Sequence, residues 1–442
     1  MSENVSLTFA RYVSLNIVGM ITASAMVFID AIFLSIALGA DGLTAVSLIA
    51  PIFGTVFGLG LMLSEGGGSK YAANMAADKE GKANAFFTVS VRSCFVLAVP
   101  LVIIGLFFSE QLSSLIGAEE HIVPMVAGYV MMLLSFSPII MLYYALESFV
   151  RNDETPGTAM VSSVILYTMN ILFDYIFIIH LGMGMLGSGL ATSVAATIAL
   201  GYLMYHWHKK ARFRFAKVFV AMKKAKAIFS IGAPSFAGNI LGGINALVFN
   251  LLLLRQLGNI GVAAFGIVST LSIVVFAVFL GIAQGMQPMA SHYYGKKDTK
   301  NLGKVLKLSI FTSIGFACLF IAASFLLTYQ LIDIFNQEPD ITLSEQLTSI
   351  TAVGIRTYFT AFVFVGITII STYFLAATGA PKRALILSVL QSGGIIPFVI
   401  MLSYLGGVTG IWAAYPVFEL PLSIISVLFL AQIGKLHRAW QT

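Results

Sequence analysis

The chain has 442 residues, of which 58% are hydrophobic and 10% charged, and its mean hydropathy is +0.94. A soluble globular domain carries about 25% charged residues, so this composition excludes a water-soluble globule and indicates an integral membrane protein. The formal net charge of +6 does not indicate a nucleic-acid partner, because basic residues beside a membrane face anionic lipid headgroups.

Apolar runs long enough to span a bilayer as helices, about 20 residues each, recur along the whole chain. A spanning strand needs only about 10 residues and alternates polar with apolar ones, so the predicted fold is all-α. The first run is too long for the apolar core of a signal peptide, and we interpret it as a retained helix. We predict twelve transmembrane helices, at roughly 11–39, 43–69, 84–108, 124–150, 157–180, 184–207, 228–256, 261–288, 304–328, 350–378, 382–405 and 407–433.

The positions of Lys and Arg predict the orientation of these helices. If both termini are cytoplasmic, every Lys and Arg except Arg255 and Arg356 lies on the cytoplasmic side or at a helix end that faces it. The densest basic segment, HKKARFRFAKVFVAMKKAK, separates the sixth and seventh predicted helices. By the positive-inside rule we expect a multi-pass protein of the plasma (inner) membrane with cytoplasmic N- and C-termini.

Six helices, a basic linker and six more helices suggest a duplication. The segment GLTAVSLIAPIFGTVFGLGLMLSEGG from Gly42 aligns with GVAAFGIVSTLSIVVFAVFLGIAQGM from Gly261, and ETPGTAM aligns with GAPKRAL so that Pro156 matches Pro381. Each half has an even number of helices, so the repeat is parallel and a central cavity is expected between the two bundles. We predict an N-terminal lobe at 1–208, a cytoplasmic linker at 209–227 and a C-terminal lobe at 228–442.

Three segments carry a resemblance to a known family: GLGLMLSEGGGSKYAANMAADKEGKAN, FLGIAQGMQPMASHYYGKKDTKNLGKV, and the block that runs from RNDETPGTAM through NILFDYIF to GMGMLGSGLATSVAA. Together they resemble the multidrug and toxic compound extrusion (MATE) family, in its prokaryotic DinF/MepA-like branch. The resemblance covers nearly the whole chain. It implies a transporter in which two six-helix bundles rock about a central cavity.

Four polar side chains fall at a similar depth in three of the predicted helices. Asp30 lies about nine residues from the outer end of the first helix and Asp174 about six from that of the fifth, at depths of about 13 and 9 Å. Asn170 lies one helical turn from Asp174 on the same face. Thr192, about eight residues into the sixth helix, lies at about 12 Å. We therefore expect these four side chains to meet.

Two carboxylates, an amide and a hydroxyl suit a small hard cation, and neighbouring carboxylates also bind a shared proton. We predict a cation- or proton-binding site of Asp30, Asn170, Asp174 and Thr192, which are also the metal ligands if the coupling ion is Na⁺. The resemblance implies the same positions: an acid on the first helix, Asn and Asp four apart on the fifth, and Thr on the sixth. The alternative is a polar network that only fixes helix packing.

Other acidic residues within the predicted helices are weaker candidates. Glu65 and Glu147 lie near cytoplasmic helix ends, where interfacial water is in reach, and Glu419 lies deep in the last helix. We predict that substrate contacts come from Tyr143, Tyr144, Glu147 and Glu419. An apolar cavity with a few carboxylates and aromatic rings favours amphipathic organic cations.

The predicted function is cation-coupled multidrug efflux, in which H⁺ or Na⁺ is exchanged for an organic cation by alternating access. We expect no enzymatic activity and no cofactor apart from the coupling ion. The expected partners are small organic cations and the lipid bilayer, without nucleic acid, and we expect a monomer.

Two rival functions remain open. A lipid-linked oligosaccharide flippase of related architecture would need cationic residues in its cavity to hold a pyrophosphate, and we expect no Lys or Arg deep in these helices. An intramembrane aspartyl protease would use Asp30 and Asp174 as a dyad, but the sequence has no GxGD segment. The chain also departs from the family pattern twice: its first predicted helix has no proline, and the exit from the fourth, VRNDETPG, is unusually acidic.

Overall fold

A computed structural model describes residues 4–218, 221–335 and 341–438, and within these ranges the chain is almost entirely helical and contains no strand. Fifteen α-helices follow one another along the chain. They are α1 Val5–Ala76, α2 Glu80–Phe107, α3 Ser109–Leu115, α4 Val123–Ser135, α5 Ser137–Asn152, α6 Pro156–Asp174, α7 Gly184–Lys209, α8 Ala221–Leu257, α9 Asn259–Gly295, α10 Thr299–Leu326, α11 Thr328–Asp333, α12 Ile341–Phe359, α13 Phe362–Ala377, α14 Pro381–Val389 and α15 Ile395–Arg438.

These helices confirm the predicted all-α fold of twelve membrane passes. Among the described residues, nine helical stretches are long and apolar enough to cross a bilayer, and two bent helix pairs bring the number to eleven. One of the nine, Pro381–Gln432, is 52 residues long and turns back at Gly407, whose φ of 58° is not helical. Counted on either side of Gly407, this stretch supplies two passes.

The predicted helices differ from the observed ones at two bends. The fourth pass bends by 50° between α4 and α5, and the tenth by 44° between α12 and α13. Pro138 at the start of α5 explains the first bend, because proline donates no backbone hydrogen bond to the preceding turn. At the second bend Thr360 donates its hydroxyl to the carbonyl of Thr357, a local bond that competes with the helix.

The internal repeat is visible in the backbone. Asp78 and Lys297 both have positive φ, at 55° and 58°, and they are separated by the offset of 219 that the sequence alignment gives for this region. Glu154 and Gly379, with φ of 66° and 86°, are separated by 225 residues, the offset at which Pro156 aligns with Pro381. The fifth and eleventh passes each contain a π-helical segment, at Tyr175–His180 and Leu390–Gly394. The two halves therefore share backbone details as well as helix order.

Each half has its own hydrophobic core. In the N-terminal lobe it is centred on rings such as Phe87, Phe149 and Phe213, and in the C-terminal lobe on Phe279 and Phe362. The predicted boundaries of the two lobes and of the linker stay predictions, and residues 219 and 220 of that linker lie outside the described residues.

The two lobes meet closely at one end of the bundle. This end carries residues 209–218, the start of α1 and the end of α15. We call it the linker end, and the opposite end the far end. A Cβ on Gly66 of α1 would overlap the carbonyl of Ile228, and one on Gly232 of α8 would overlap that of Met62. Glycine is required at both positions because the backbones of α1 and α8 touch there.

Toward the far end the lobes are separated by a groove between α1 and α9. Its volume is about 380 Å³ and its walls are almost wholly apolar. Phe28 of α1 lies at one wall, 6.1 Å from Phe335 between ring centroids, and is 44% exposed. The bundle is thus closed at the linker end and open toward the far end.

Asp153, in the acidic exit of the fourth pass, holds the linker against the N-terminal lobe. Its carboxylate accepts hydrogen bonds from the backbone N–H of Arg212 at 2.7 Å, from Arg212 Nε at 3.0 Å and from the Tyr71 hydroxyl at 2.6 Å. The backbone N–H of Ala216 donates to the hydroxyl of Thr88 at 2.9 Å. The unusual acidity of this exit thus has a structural role.

The glycine contacts at the linker end give a testable prediction. Gly232→Ala adds a methyl group that overlaps Met62, so we expect the lobes to part at this end. In a chain whose Cys94 and Cys318 are replaced by alanine, a cysteine at Ser235 should react with a membrane-impermeant maleimide roughly tenfold faster in the Gly232→Ala background, as a shift of about 1.4 kcal/mol would give.

The matched control is Gly242→Ala on the same helix, where an added Cβ meets nothing within 4 Å. Equal labelling rates in the two backgrounds would show that the contact between α1 and α8 does not keep this end closed.

Candidate functional site

Asp174 ends α6, where the helix passes into the π-helical segment Tyr175–His180. Its side chain is fully buried. The amide of Asn170, one turn earlier, fits its neighbours when its nitrogen faces Asp174 Oδ2 at 3.0 Å and its oxygen faces the hydroxyl of Thr192 at 3.2 Å, and we adopt this orientation. The other carboxylate oxygen, Oδ1, is buried without a hydrogen-bond partner among the described residues.

Thr192 and Ser188 lie on α7, four residues apart and therefore on one face of the helix. Thr192 joins Asn170, as above, and its hydroxyl also interacts with the Tyr129 side chain. Ser188 donates its hydroxyl to Asp30 Oδ1 at 3.1 Å and is itself buried. One face of α7 therefore connects the acid of α1 to the polar pair of α6.

The four predicted residues lie together, as their depths in the sequence indicate. Asp30 and Asp174 are close enough to interact electrostatically, and the hydroxyl of Ser188 and the amide of Asn170 each satisfy one oxygen of these acids. The site thus offers oxygen atoms of two carboxylates, an amide and hydroxyl groups, which is a donor set for a proton or a small hard cation. That it binds a cation stays a prediction.

A cavity opens beside this site, within the N-terminal lobe. Asn170 and Thr192 line it together with Tyr143, Tyr144 and Phe57, and its volume is about 30 Å³. The ring of Tyr144 lies edge-on to that of Phe57, with centroids 4.9 Å apart. Since sites for drug-sized ligands measure about 300–1,000 Å³, this cavity is too small for an organic cation in the present conformation.

Glu147 does not line this cavity; it forms an ion pair with Arg151, one turn farther along α5. Arg151 Nη1 lies 2.9 Å from Glu147 Oε1 and 3.2 and 3.3 Å from the amide oxygens of Asn16 and Gln284. Arg151 is 2% exposed although it lies in the last turn of α5 and not deep within the helix. The hydropathy pattern places this residue just beyond a helix end, but there the C-terminal lobe covers it.

Glu65 is buried at the same contact between the lobes, with 2% of its surface exposed. Its Oε2 accepts hydrogen bonds from the Ser235 hydroxyl and from Gln287 Nε2, each at 3.2 Å. Both donors belong to the C-terminal lobe. We expected interfacial water around Glu65 from its place near a helix end; instead, side chains of the other lobe surround it.

Glu419 lies apart from these groups, in the C-terminal lobe. It is fully buried, Gln391 donates to its Oε2 at 3.4 Å, and its Oε1 has no hydrogen-bond partner among the described residues. Gln391 also lines a cavity of about 190 Å³ within this lobe. A role for Glu419 in substrate binding stays a prediction.

Ser188 and Arg151 are not among the residues predicted from the sequence. Ser188 had a signal, because it precedes Thr192 by one helical turn, but single serines are common in membrane helices and do not stand out. Arg151 had one too: Glu147 precedes it by four residues, the spacing of a helical ion pair.

Comparisons with known proteins agree with this architecture. The MatE family model matches residues 16–176 and 234–404. The multidrug export protein MepA of Staphylococcus saprophyticus is 27% identical over 372 residues, which cover 84% of this chain and 81% of that protein. A crystal structure of MATE in complex with MaL6 has a TM-score of 0.92 at 20% identity and covers 99% of this chain and 100% of its own. An outward-facing structure of a multidrug resistance MATE family transporter has a TM-score of 0.91 at 20% identity, with 99% of each chain covered.

The ion pair on α5 gives a prediction for stability. Arg151→Gln leaves Glu147 buried without its cation, and breaking a buried pair in this way costs about 3–5 kcal/mol. We expect the thermal unfolding temperature of the detergent-purified protein to fall. The double variant Arg151→Gln with Glu147→Gln removes both charges and should recover most of the loss. If the double variant is less stable than Arg151→Gln alone, the two charges are not energetically coupled.

Proposed function

Because the chain belongs to the MATE family, whose members are membrane transporters, we propose that it is a cation-coupled multidrug efflux antiporter. In this proposal it exports amphipathic organic cations by alternating access and takes up H⁺ or Na⁺ in exchange. The similarity to multidrug export protein MepA supports export of several small molecules. We also propose that the protein acts as a monomer in the plasma membrane.

The coupling proposal rests on the burial of Asp174 and on its incomplete hydrogen bonding. A fully buried carboxylate is costly inside a membrane protein and is seldom kept without a function. One of its oxygens is held by Asn170 and the other has no partner among the described residues. A bound proton satisfies such an oxygen directly. A Na⁺ ion would instead be held by the oxygens of Asp30, Asn170, Asp174 and Thr192.

Competition for charge supplies the exchange. When H⁺ or Na⁺ occupies Asp30 and Asp174, the site loses its negative charge and its attraction for an organic cation falls. The cation then leaves on the side to which the lobes are open, and the lobes return with the bound ion. Since each ligand weakens the binding of the other, the gradient of one drives the movement of the other.

The closed linker end and the open groove support a protein that alternates between two openings. In the proposed orientation the linker end is cytoplasmic, because its Lys and Arg residues follow the positive-inside rule. The groove between α1 and α9 then faces the outside. Gly66 and Gly232, which allow the lobes to touch, are at the place that must separate when the protein opens inward.

The rival functions have less support. A flippase for a pyrophosphate-linked lipid requires cations available in the cavity, and the buried Arg151 is already engaged by Glu147 at 2.9 Å. Membership of a transporter family counts against an intramembrane aspartyl protease. We therefore retain the antiporter as the single proposal.

The proposal is tested by transport with the purified full chain. In liposomes preloaded with ethidium, we expect an imposed pH gradient or Na⁺ gradient to drive dye movement, and the effective gradient identifies the ion. Asp174→Asn keeps the size of the side chain but removes its charge, so gradient-driven movement should fall at least roughly tenfold, a coupling loss of about 1.4 kcal/mol.

Asp333→Asn is the matched control, because Asp333 is an exposed carboxylate at the far end of the C-terminal lobe. We expect its transport to equal that of the native chain. If neither gradient moves dye, the antiport proposal is wrong; if Asp174→Asn transports normally, the coupling ion binds elsewhere.

A second prediction concerns Ser188, the hydrogen-bond donor to Asp30. A hydrogen bond to a charged group contributes about 1.5–3 kcal/mol, and without it Asp30 is no longer held beside Asp174. We expect Ser188→Ala to lower gradient-driven ethidium export about tenfold. Ser193→Ala is the control, since Ser193 is buried on the same helix but donates only to the carbonyl of Gly189. Equal rates for the two variants would remove Ser188 from the site.

A further inference from the structure

We propose that Glu65 and Glu147, with Arg151 as their resident cation, form an access site at the linker end that binds organic cations before they reach the inner cavity. The inference rests on the proposed function, because it concerns the same substrates. The site is covered in the present conformation and becomes available when the lobes part.

The hydrogen bonds of Glu65 all come from the opposite lobe. Ser235 of α8 and Gln287 of α9 both donate to its Oε2, and Tyr373 of α13 is also within reach. Its Oε1 is buried without a partner among the described residues. When the lobes separate, Glu65 therefore loses its neutral donors at once and presents a carboxylate to the solution.

The N-terminal face of this contact carries an excess of negative charge. Arg151 is paired directly with Glu147 at 2.9 Å, and its charge also acts on Glu65. Two carboxylates and one guanidinium leave a net charge of −1. The side chains that the C-terminal lobe contributes, among them Gln284 and Gln287, are neutral. The exposed face thus attracts a cation, which can pair with Glu65 without displacing Arg151.

The access site and the aromatic cavity lie along the same two helices. Tyr143 and Tyr144 precede Glu147 by about one turn on α5, and Phe57 precedes Glu65 by about two turns, or about 12 Å, on α1. All three rings line the cavity that also contains Asn170. A cation that binds at the acids is therefore followed inward by ring faces, which bind cations through their quadrupoles.

This arrangement selects for ligands that are both positively charged and aromatic or amphipathic. The acids provide a local countercharge for the bound cation, and the rings provide contact area once water is displaced. The acids repel an anion, and a small inorganic cation gains no apolar contact area from the ring faces. The ligand class is thus the same as that of the proposed transport substrate.

The test uses two dyes with the same ring system and different charge, ethidium with one and propidium with two. In membrane vesicles that expose the linker end, the KM for ethidium uptake and the inhibition constant of propidium are measured. Coulomb energy is proportional to charge. The fold-change in the inhibition constant of the dication should therefore be the square of the fold-change in KM for the monocation. We expect Glu65→Gln to raise the KM about threefold and the inhibition constant about tenfold, with kcat unchanged.

Two further variants separate charge from packing. Glu65→Asp retains the carboxylate and should keep both constants within about twofold. Glu110→Gln removes an exposed carboxylate at the far end of the same lobe and should change neither. If Glu65→Gln shifts both dyes by the same factor, or lowers kcat alone, Glu65 only holds the lobes together and the proposal is wrong.

A measurement on the native chain does not depend on any variant. Because salt screens exposed charges, affinity at the access site should fall as ionic strength rises, and more steeply for propidium than for ethidium. Constants that do not depend on salt would overturn the proposal. If native vesicles move no ethidium under either gradient, the proposed antiport itself fails, and that outcome is distinct from a failure of the access site alone.

Discussion

A charged side chain inside this helical bundle has no bulk water to hydrate it, and it must be satisfied by other parts of the protein. The backbone solves the same problem by remaining helical almost throughout the described ranges. The carboxylates solve it one at a time, each with a different neighbour. The pairs are Asp30 with Ser188, Asp174 with Asn170, Glu147 with Arg151, Glu65 with Ser235 and Gln287, and Glu419 with Gln391.

These pairs differ in whether they survive a movement of the lobes. Those of Asp30, Asp174 and Glu147 lie within the N-terminal lobe, although Arg151 also contacts Gln284 of the other lobe. That of Glu65 exists only while the lobes touch. A rigid rotation of one lobe therefore leaves the proposed coupling site intact and changes the surroundings of Glu65 completely. This separation allows one set of acids to carry a cation through the cycle while another responds to the opening itself.

Most of the fold could be predicted from the sequence, because long apolar runs have a single common interpretation in a membrane. The acids of the coupling site were also predictable, since Asp30 and Asp174 stand out against apolar neighbours and their depth follows from helix geometry. The surroundings of Glu65 and Arg151 were not, because distance from a helix end does not reveal that another lobe covers it. The bends depend on Pro138 at the first and on a local hydrogen bond of Thr360 at the second, and hydropathy records neither.

The attachment of the linker to the N-terminal lobe sets an upper limit on how far the protein can open. The backbone of Ala216 is fixed to Thr88, and α8 begins at Ala221, so only four residues connect the anchored part of the linker to the next lobe. A fully extended chain advances about 3.5 Å per residue, which gives a reach of about 17 Å between those two points. The linker is thus a short tether: at this end the lobes cannot separate beyond that reach without first releasing the backbone of Ala216 from Thr88.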